Sequence, residues 1–169
     1  MTEPLSEAST LSSVYIDRTP AYLSLFQYLK DRNFYEIALL FSRNNKTSAT
    51  YQEAIKACQA IYGDRTTVTF GNIHNYHDGY EIGKILANNT KIQAILANSD
   101  DIAAGIKQAY TDLQKNCPLL VGQENQLTSQ FLGIITIDHK AYQLGQMLFQ
   151  KALTDETEQI HYSSEVIWR

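Results

Sequence analysis

Apolar residues gather in short runs at Val14–Asp17, Ile37–Phe41, Thr67–Phe70, Ala94–Ala97, Leu119–Val121 and Ile134–Ile137. Each run has the length of a strand, and helical spacing fills most of the gaps between them. Thr19-Pro20 predicts an N-cap with proline at the first helical position, opening AYLSLFQYLKD. Asp78, with Glu81 three residues on, predicts a capping box ahead of the apolar face of Ile82, Ile85 and Leu86. Ile102, Ile106, Ala109, Tyr110 and Leu113 form the clearest helical stripe. From Ile37 to Leu119 the runs recur every ~25 to 30 residues, the span of a strand and a returning helix. The expected fold class is α/β, a parallel sheet flanked by helices on both faces. The first dozen residues are polar and unpatterned, so residues 1–13 are expected to be disordered.

In such sheets a ligand crevice lies beyond the carboxyl ends of the strands, where helix N-termini present free N–H groups. The segments that follow the runs are Ser42-Arg43-Asn44, Gly71-Asn72, Asn98-Ser99-Asp100, Gly122-Gln123-Glu124-Asn125 and Asp138-His139. All are polar. The doubled aspartate at 100 and 101 has a purely structural explanation in capping and the helix dipole, worth about 0.3–1 kcal/mol per charge. That account suits Asp101 as well as any functional one, whereas Ser99, Asp100 and Glu124 are expected at a pocket.

Composition narrows the function classes. The chain has 169 residues, 44% hydrophobic and 19% charged, with four histidines and a net charge of −4. That length suits one domain or slightly more. The negative balance gives no overall attraction for nucleic acid or an anionic membrane. Cys58 and Cys117 each lie beside apolar residues, show no CxxC spacing and are expected as buried reduced thiols in a cytoplasmic protein. No secretory signal opens the sequence, and no apolar run approaches the ~18 residues that span a bilayer. His74, His77 and Asp78 could in principle chelate zinc, but further ligands are not visible nearby, so a solvated loop is expected and no metal. Nucleophile elbow, P-loop, GxGxxG and HExxH motifs do not occur. No enzyme and no cofactor are expected.

The ordered segments VYIDRTPAYLSLFQYLKDRNFYEIALLF, SATYQEAIKACQAI, HDGYEIGKIL, AILANSDDIAAGIKQAY, LLVGQENQLTSQFLGIITIDHKAYQLG and EVIWR resemble the effector-binding domain of LacI/GalR-type bacterial transcription regulators. The resemblance runs from Val14 to Arg169 and is strongest at NSDDIAAG and TIDHKAYQLG. It implies a periplasmic-binding-protein-like fold of two α/β lobes closing on a small effector. On that pattern residues 14–133 are expected to form mainly the C-terminal lobe, and residues 134–169 crossover and closing elements of the N-terminal lobe. The rest of that lobe and the DNA-binding region have no counterpart, so the sequence is either a cut piece or a naturally shortened protein. Helix 140–153 is then expected to carry an exposed apolar face.

The resemblance also implies site residues, one at a time. Gln52 stands where sugar-binding members carry an arginine, and it offers one donor end, one acceptor and no charge. Glu124 matches the aspartate of a G-[FY]-D motif, Ser99 an asparagine, and His139 a polar residue after T-[TI]-[IV]-x. Together with Asp100 these are the expected ligand-binding residues, for a small polar, sugar-like effector. Tyr110 and Phe131, the latter within Gln126–Phe131, are expected at a homodimer interface. Ile167-Trp168-Arg169 is expected to be a short closing strand. Operator DNA would be contacted only through a domain outside this chain. The alternative is a stand-alone or degenerate binding and dimerisation module without DNA binding.

Overall fold

The computed structural model describes residues 13–43, 48–63, 68–153 and 159–169. The expectation of disorder at the N-terminus falls almost wholly outside these residues, as do Asn44 and Thr67. In chain order the elements are β1 (Ser13–Asp17), α1 (Thr19–Asp31), β2 (Ile37–Leu40), α2 (Ala49–Tyr62), β3 (Val68–Phe70), α3 (Tyr76–Leu86) and β4 (Ala94–Leu96). They continue as α4 (Asp100–Asp112), β5 (Leu119–Gln123), α5 (Leu127–Leu132), β6 (Ile135–Asp138), α6 (Ala141–Ala152), β7 (Gln159–Ser163) and β8 (Glu165–Ile167).

Six strands form one sheet in the order β3-β2-β4-β5-β6-β8. All its pairings are parallel except the antiparallel β6–β8 pair. Alternation along the strands divides the core into two layers. Ile37, Leu39, Leu96, Val121 and Ile137 face α1 and α2, through Tyr22, Leu25, Phe26, Ala54 and Cys58. Ala38, Leu40, Ile95 and Leu120 face α3 and α4, through Ile82, Leu86, Ile102 and Ile106. The expected α/β class, a mainly parallel sheet covered on both sides, is the observed one. From β2 the chain steps outward to β3 and then returns past β2 to β4, so the winding reverses between β2 and β4.

β1 and β7 pair in parallel as a separate two-stranded sheet, from Ser13↔Gln159 to Asp17↔Ser163. A small cluster of Val14, Ile16 and Leu144 joins it to α6. The division therefore differs from a boundary after Gly133. Ladder pairing puts β6 and β8 in the larger sheet and assigns β1 to the smaller one. Tyr142 and Phe149 on α6, and Leu153 at its C-cap, are exposed, the uncovered apolar face expected for this helix.

Two caps are displaced from their expected places. Arg18, not Thr19, is the N-cap residue of α1 and no side chain caps that helix; Thr19 is its first residue, and its N–H donates to Asp17 Oδ1 at 2.9 Å. α3 starts a turn earlier than Asp78: Asn75 Oδ1 accepts the Asp78 N–H at 3.0 Å, and Asp78 Oδ2 accepts the His74 N–H at 2.8 Å. The capping residue is thus Asn75, and the Asp78 carboxylate reaches back one residue further, to His74, so the expected Asp78–Glu81 box does not form. Asp78 is thereby engaged with backbone, and among the described residues no cluster of three metal-ligating side chains occurs. Nor is any helix among them long and apolar enough to cross a membrane.

Candidate functional site

A cavity of about 270 Å³ opens where the winding of the larger sheet reverses. Open α/β sheets place their ligands at such a point, because the loops leaving neighbouring strands diverge there and leave a crevice. β2 delivers Phe41, Ser42 and Arg43 to it, and β4 delivers Asn98. Gln123 ends β5, Glu124 follows it, and His139 follows β6. Arg18, between β1 and α1, and Ser48 and Thr50, at the start of α2, complete the wall.

His139 is fixed at both nitrogens. Nδ1 lies 2.9 Å from Ser164 Oγ, and Nε2 lies 3.1 Å from Gln123 Oε1. An amide oxygen only accepts, so Nε2 carries the hydrogen and Nδ1 accepts the serine hydroxyl. Burial first, then the Arg18 guanidinium, push the imidazole pKa down to about 4 against the opposing pull of Asp138. The ring is neutral at pH 7. Gln123 is equally tied: its Oε1 also accepts the Tyr22 hydroxyl at 3.3 Å, and its Nε2 donates to Ala97 O at 3.1 Å.

Glu124 and Asn125 follow β5 with φ of +94° and +51°, a left-handed turn that ends the strand and swings Glu124 to the rim. Loss of hydration, then the negative fields of Asp100 and Asp101, raise the Glu124 pKa; a hydrogen bond from Gln126 Nε2, at 2.6 Å, opposes them. Arg18 is held by Glu53, with Nη1 3.4 Å from Oε2, and Glu53 also accepts the Tyr15 hydroxyl. Asn98 Oδ1 is buried with no hydrogen-bond partner among the described residues. A buried acceptor left in this state costs about 1–3 kcal/mol, which a donor brought by a ligand would recover.

Of the residues expected to bind ligand, Glu124 and His139 meet at this cavity, and Gln52, Ser99 and Asp100 are not part of its lining. Gln52 is exposed on α2. Ser99 is the N-cap of α4, its Oγ accepting the Ile102 N–H at 3.2 Å. Asp100 is fully buried: Oδ1 accepts the Thr136 hydroxyl and Oδ2 the Gln126 N–H, both at 2.6 Å. Gly122 makes room for it, since a Cβ there would lie 2.1 Å from Asp100 Oδ1. Tyr110 is 3% exposed and sits in the core between α3 and α4, whereas Phe131 is 85% exposed. Arg18, Ser48, Thr50 and Gln123 were not singled out by the sequence. Gln123 and Asn98 lay within the polar strand ends, but Arg18 reaches the site from the other sheet.

No family model matches the chain. It is 32% identical over 152 residues to catabolite control protein B of Bacillus subtilis, covering 85% of this chain and 47% of that protein. The chain thus spans about half the length of this curated relative. The LacI family transcriptional regulator CCPA from Weissella paramesenteroides, solved with bound glucose, superposes with a TM-score of 0.84 at 24% identity, over 99% of this chain and 65% of that one. A dimeric Lac repressor superposes with a TM-score of 0.72 at 13% identity, over 94% and 63%. The fold is that of the effector-binding region of LacI family transcriptional regulators, and in sequence the chain is similar to about half of one curated relative, catabolite control protein B.

Proposed function

We propose that this chain is the effector-sensing and dimerising part of a cytoplasmic regulator, and that the cavity at the β2–β4 reversal binds a small, polar, sugar-like molecule. The unpartnered Asn98 Oδ1 carries this reading. Around it the polar side chains of four strand ends converge, where a molecule rich in hydroxyls can donate to Asn98 and Glu124 and accept from the arginine and hydroxyl groups. A cavity of about 270 Å³ suits something the size of a monosaccharide, below the roughly 300–1,000 Å³ of sites for drug-sized ligands. Glucose bound to the Weissella regulator supports the same class. Glu124 and His139 belong to the site; Ser99 and Asp100 support it from behind; DNA contact would fall to residues outside this sequence.

Thermal unfolding of the 169-residue chain with and without monosaccharides tests the reading. A ligand at 100 times its Kd adds about 2.7 kcal/mol to the folded state. Glu124→Ala is expected to abolish that rise in Tm while leaving the ligand-free Tm nearly unchanged, because Glu124 is exposed at the rim. An undiminished rise in the variant would remove Glu124 from the site.

A further inference from the structure

The cavity is not uniform in charge, and the asymmetry bears on the class of molecule that fills it. Four ionisable groups line it. Arg18 is already paired with Glu53, and His139 is neutral and held on both sides. Glu124 stands past the end of β5, and Arg43 past the end of β2. β4 lies between those strands, so the two charges leave strand ends separated by about 10 Å, two interstrand spacings.

Arg43 has no carboxylate partner among the described residues, in a chain whose net charge is −4. The same cavity is lined by Ser42, Ser48 and Thr50, for whose hydroxyls no hydrogen bond is present among the described residues. Ser48 is the N-cap of the fourteen-residue α2, yet its side chain does not cap, and no acidic residue occupies the first turn. From β2 to the start of α2 the lining therefore offers a guanidinium and three hydroxyls, and past β4 and β5 it offers acceptors, the buried Asn98 Oδ1 and the Glu124 carboxylate.

Resting on the reading of this cavity as an effector site, we infer that its effector is an anion, a hydroxylated molecule bearing a carboxylate or phosphate that Arg43 holds. A neutral polyol satisfies Asn98 and leaves the guanidinium to water. An acidic group forms charge-assisted bonds with it, about twice as strong as neutral ones, and gains from the α2 dipole as well.

Isothermal titration of the 169-residue chain with glucose, gluconate, glucose 6-phosphate and inorganic phosphate, at one ionic strength, decides this. At least one of the two acidic sugars is expected to bind tenfold or more tightly than glucose, and which of them does so distinguishes carboxylate from phosphate. In Arg43→Gln the ratio of acidic to neutral affinity is expected to fall to about one. Lys56→Gln, which removes the same charge from the exposed side of α2, should keep the wild-type ratio. Equal binding of glucose and both acids, or a preference that survives Arg43→Gln, overturns the inference and leaves the effector site standing. Loss of the preference in Lys56→Gln also overturns it, since net charge and not Arg43 would then be the cause. No binding of any of the four overturns both readings together.

Discussion

Adjacent in sequence, Asp100 and Asp101 end in unlike surroundings. Asp101 is exposed and accepts one bond, from the Thr128 hydroxyl at 3.2 Å. Asp100 is sealed beneath β5 and pins β6 and the start of α5 to α4. Asp100→Ala strands a buried hydroxyl and a backbone N–H, and is expected to cost about 3 kcal/mol in urea unfolding. Asp101→Ala is expected to cost under about 0.5 kcal/mol. His139 adds a pH dependence. Its folded pKa, about 4, lies below the ordinary 6.5, so between those values the unfolded chain binds the extra proton and stability falls as the solution is acidified. The full difference amounts to about 3 kcal/mol. Glu124, whose pKa is raised, acts in the opposite sense, so the comparison is made against His139→Gln. The stability advantage of wild type over that variant is expected to shrink from pH 6.5 to pH 4; a constant difference would show that the imidazole is not held neutral. Polar strand ends were visible in the sequence, and through them Glu124 and His139. What the sequence could not show is the direction of each side chain: Asp100 turns inward because Gly122 leaves a place for it, and Asn98, two residues earlier, lines the cavity.

At the level of elements, periodicity located every strand with an apolar run and missed those defined by their partners. Gln159–Ser163 reads QIHYS and becomes β7 only because β1 lies beside it. The closing strand was anticipated two residues late: β8 ends at Ile167, Trp168 stacks on Tyr28 with ring centroids 4.3 Å apart, and Arg169 donates to Ser129 Oγ at 2.6 Å and to Ile134 O at 3.1 Å. The α3 cap shifted by a turn because adjacent Asn and Asp side chains can both serve, and only backbone geometry selects one. The packing of α3 on α4 was equally hidden. Gly105 sits in the middle of α4, where glycine normally costs about 1 kcal/mol relative to alanine. A Cβ at that position would lie 2.1 Å from Tyr76 O, so the backbones approach closer than any side chain permits. Gly105→Ala is therefore expected to lower stability by about 1–3 kcal/mol despite its better helix propensity, read from the denaturant midpoint.

For the molecule as a whole, the dimerisation proposed above would draw on α5. Phe131 and Leu127 are 85% and 67% exposed, and Phe131 lines a surface cavity together with the half-exposed Tyr76. Apolar area of this kind on one face marks an association site. We expect Leu127→Lys combined with Phe131→Lys to yield a monomer by light scattering, without loss of helicity; a persistent dimer would exclude this face. Tyr110, packed inside, is expected to affect stability and not association. Among the described residues three stretches of backbone join the two sheets: Arg18 leads from β1 to α1, His139 and Lys140 from β6 to α6, and Ser164 from β7 to β8. Ser164 N–H donates to Asp17 O at 2.9 Å and its hydroxyl meets His139, so the three are bundled. Arg18 and His139, which belong to that bundle, also line the cavity. On the function proposed above, an occupant would bear on the joint between the small ribbon and the large slab directly, with no relay through the core.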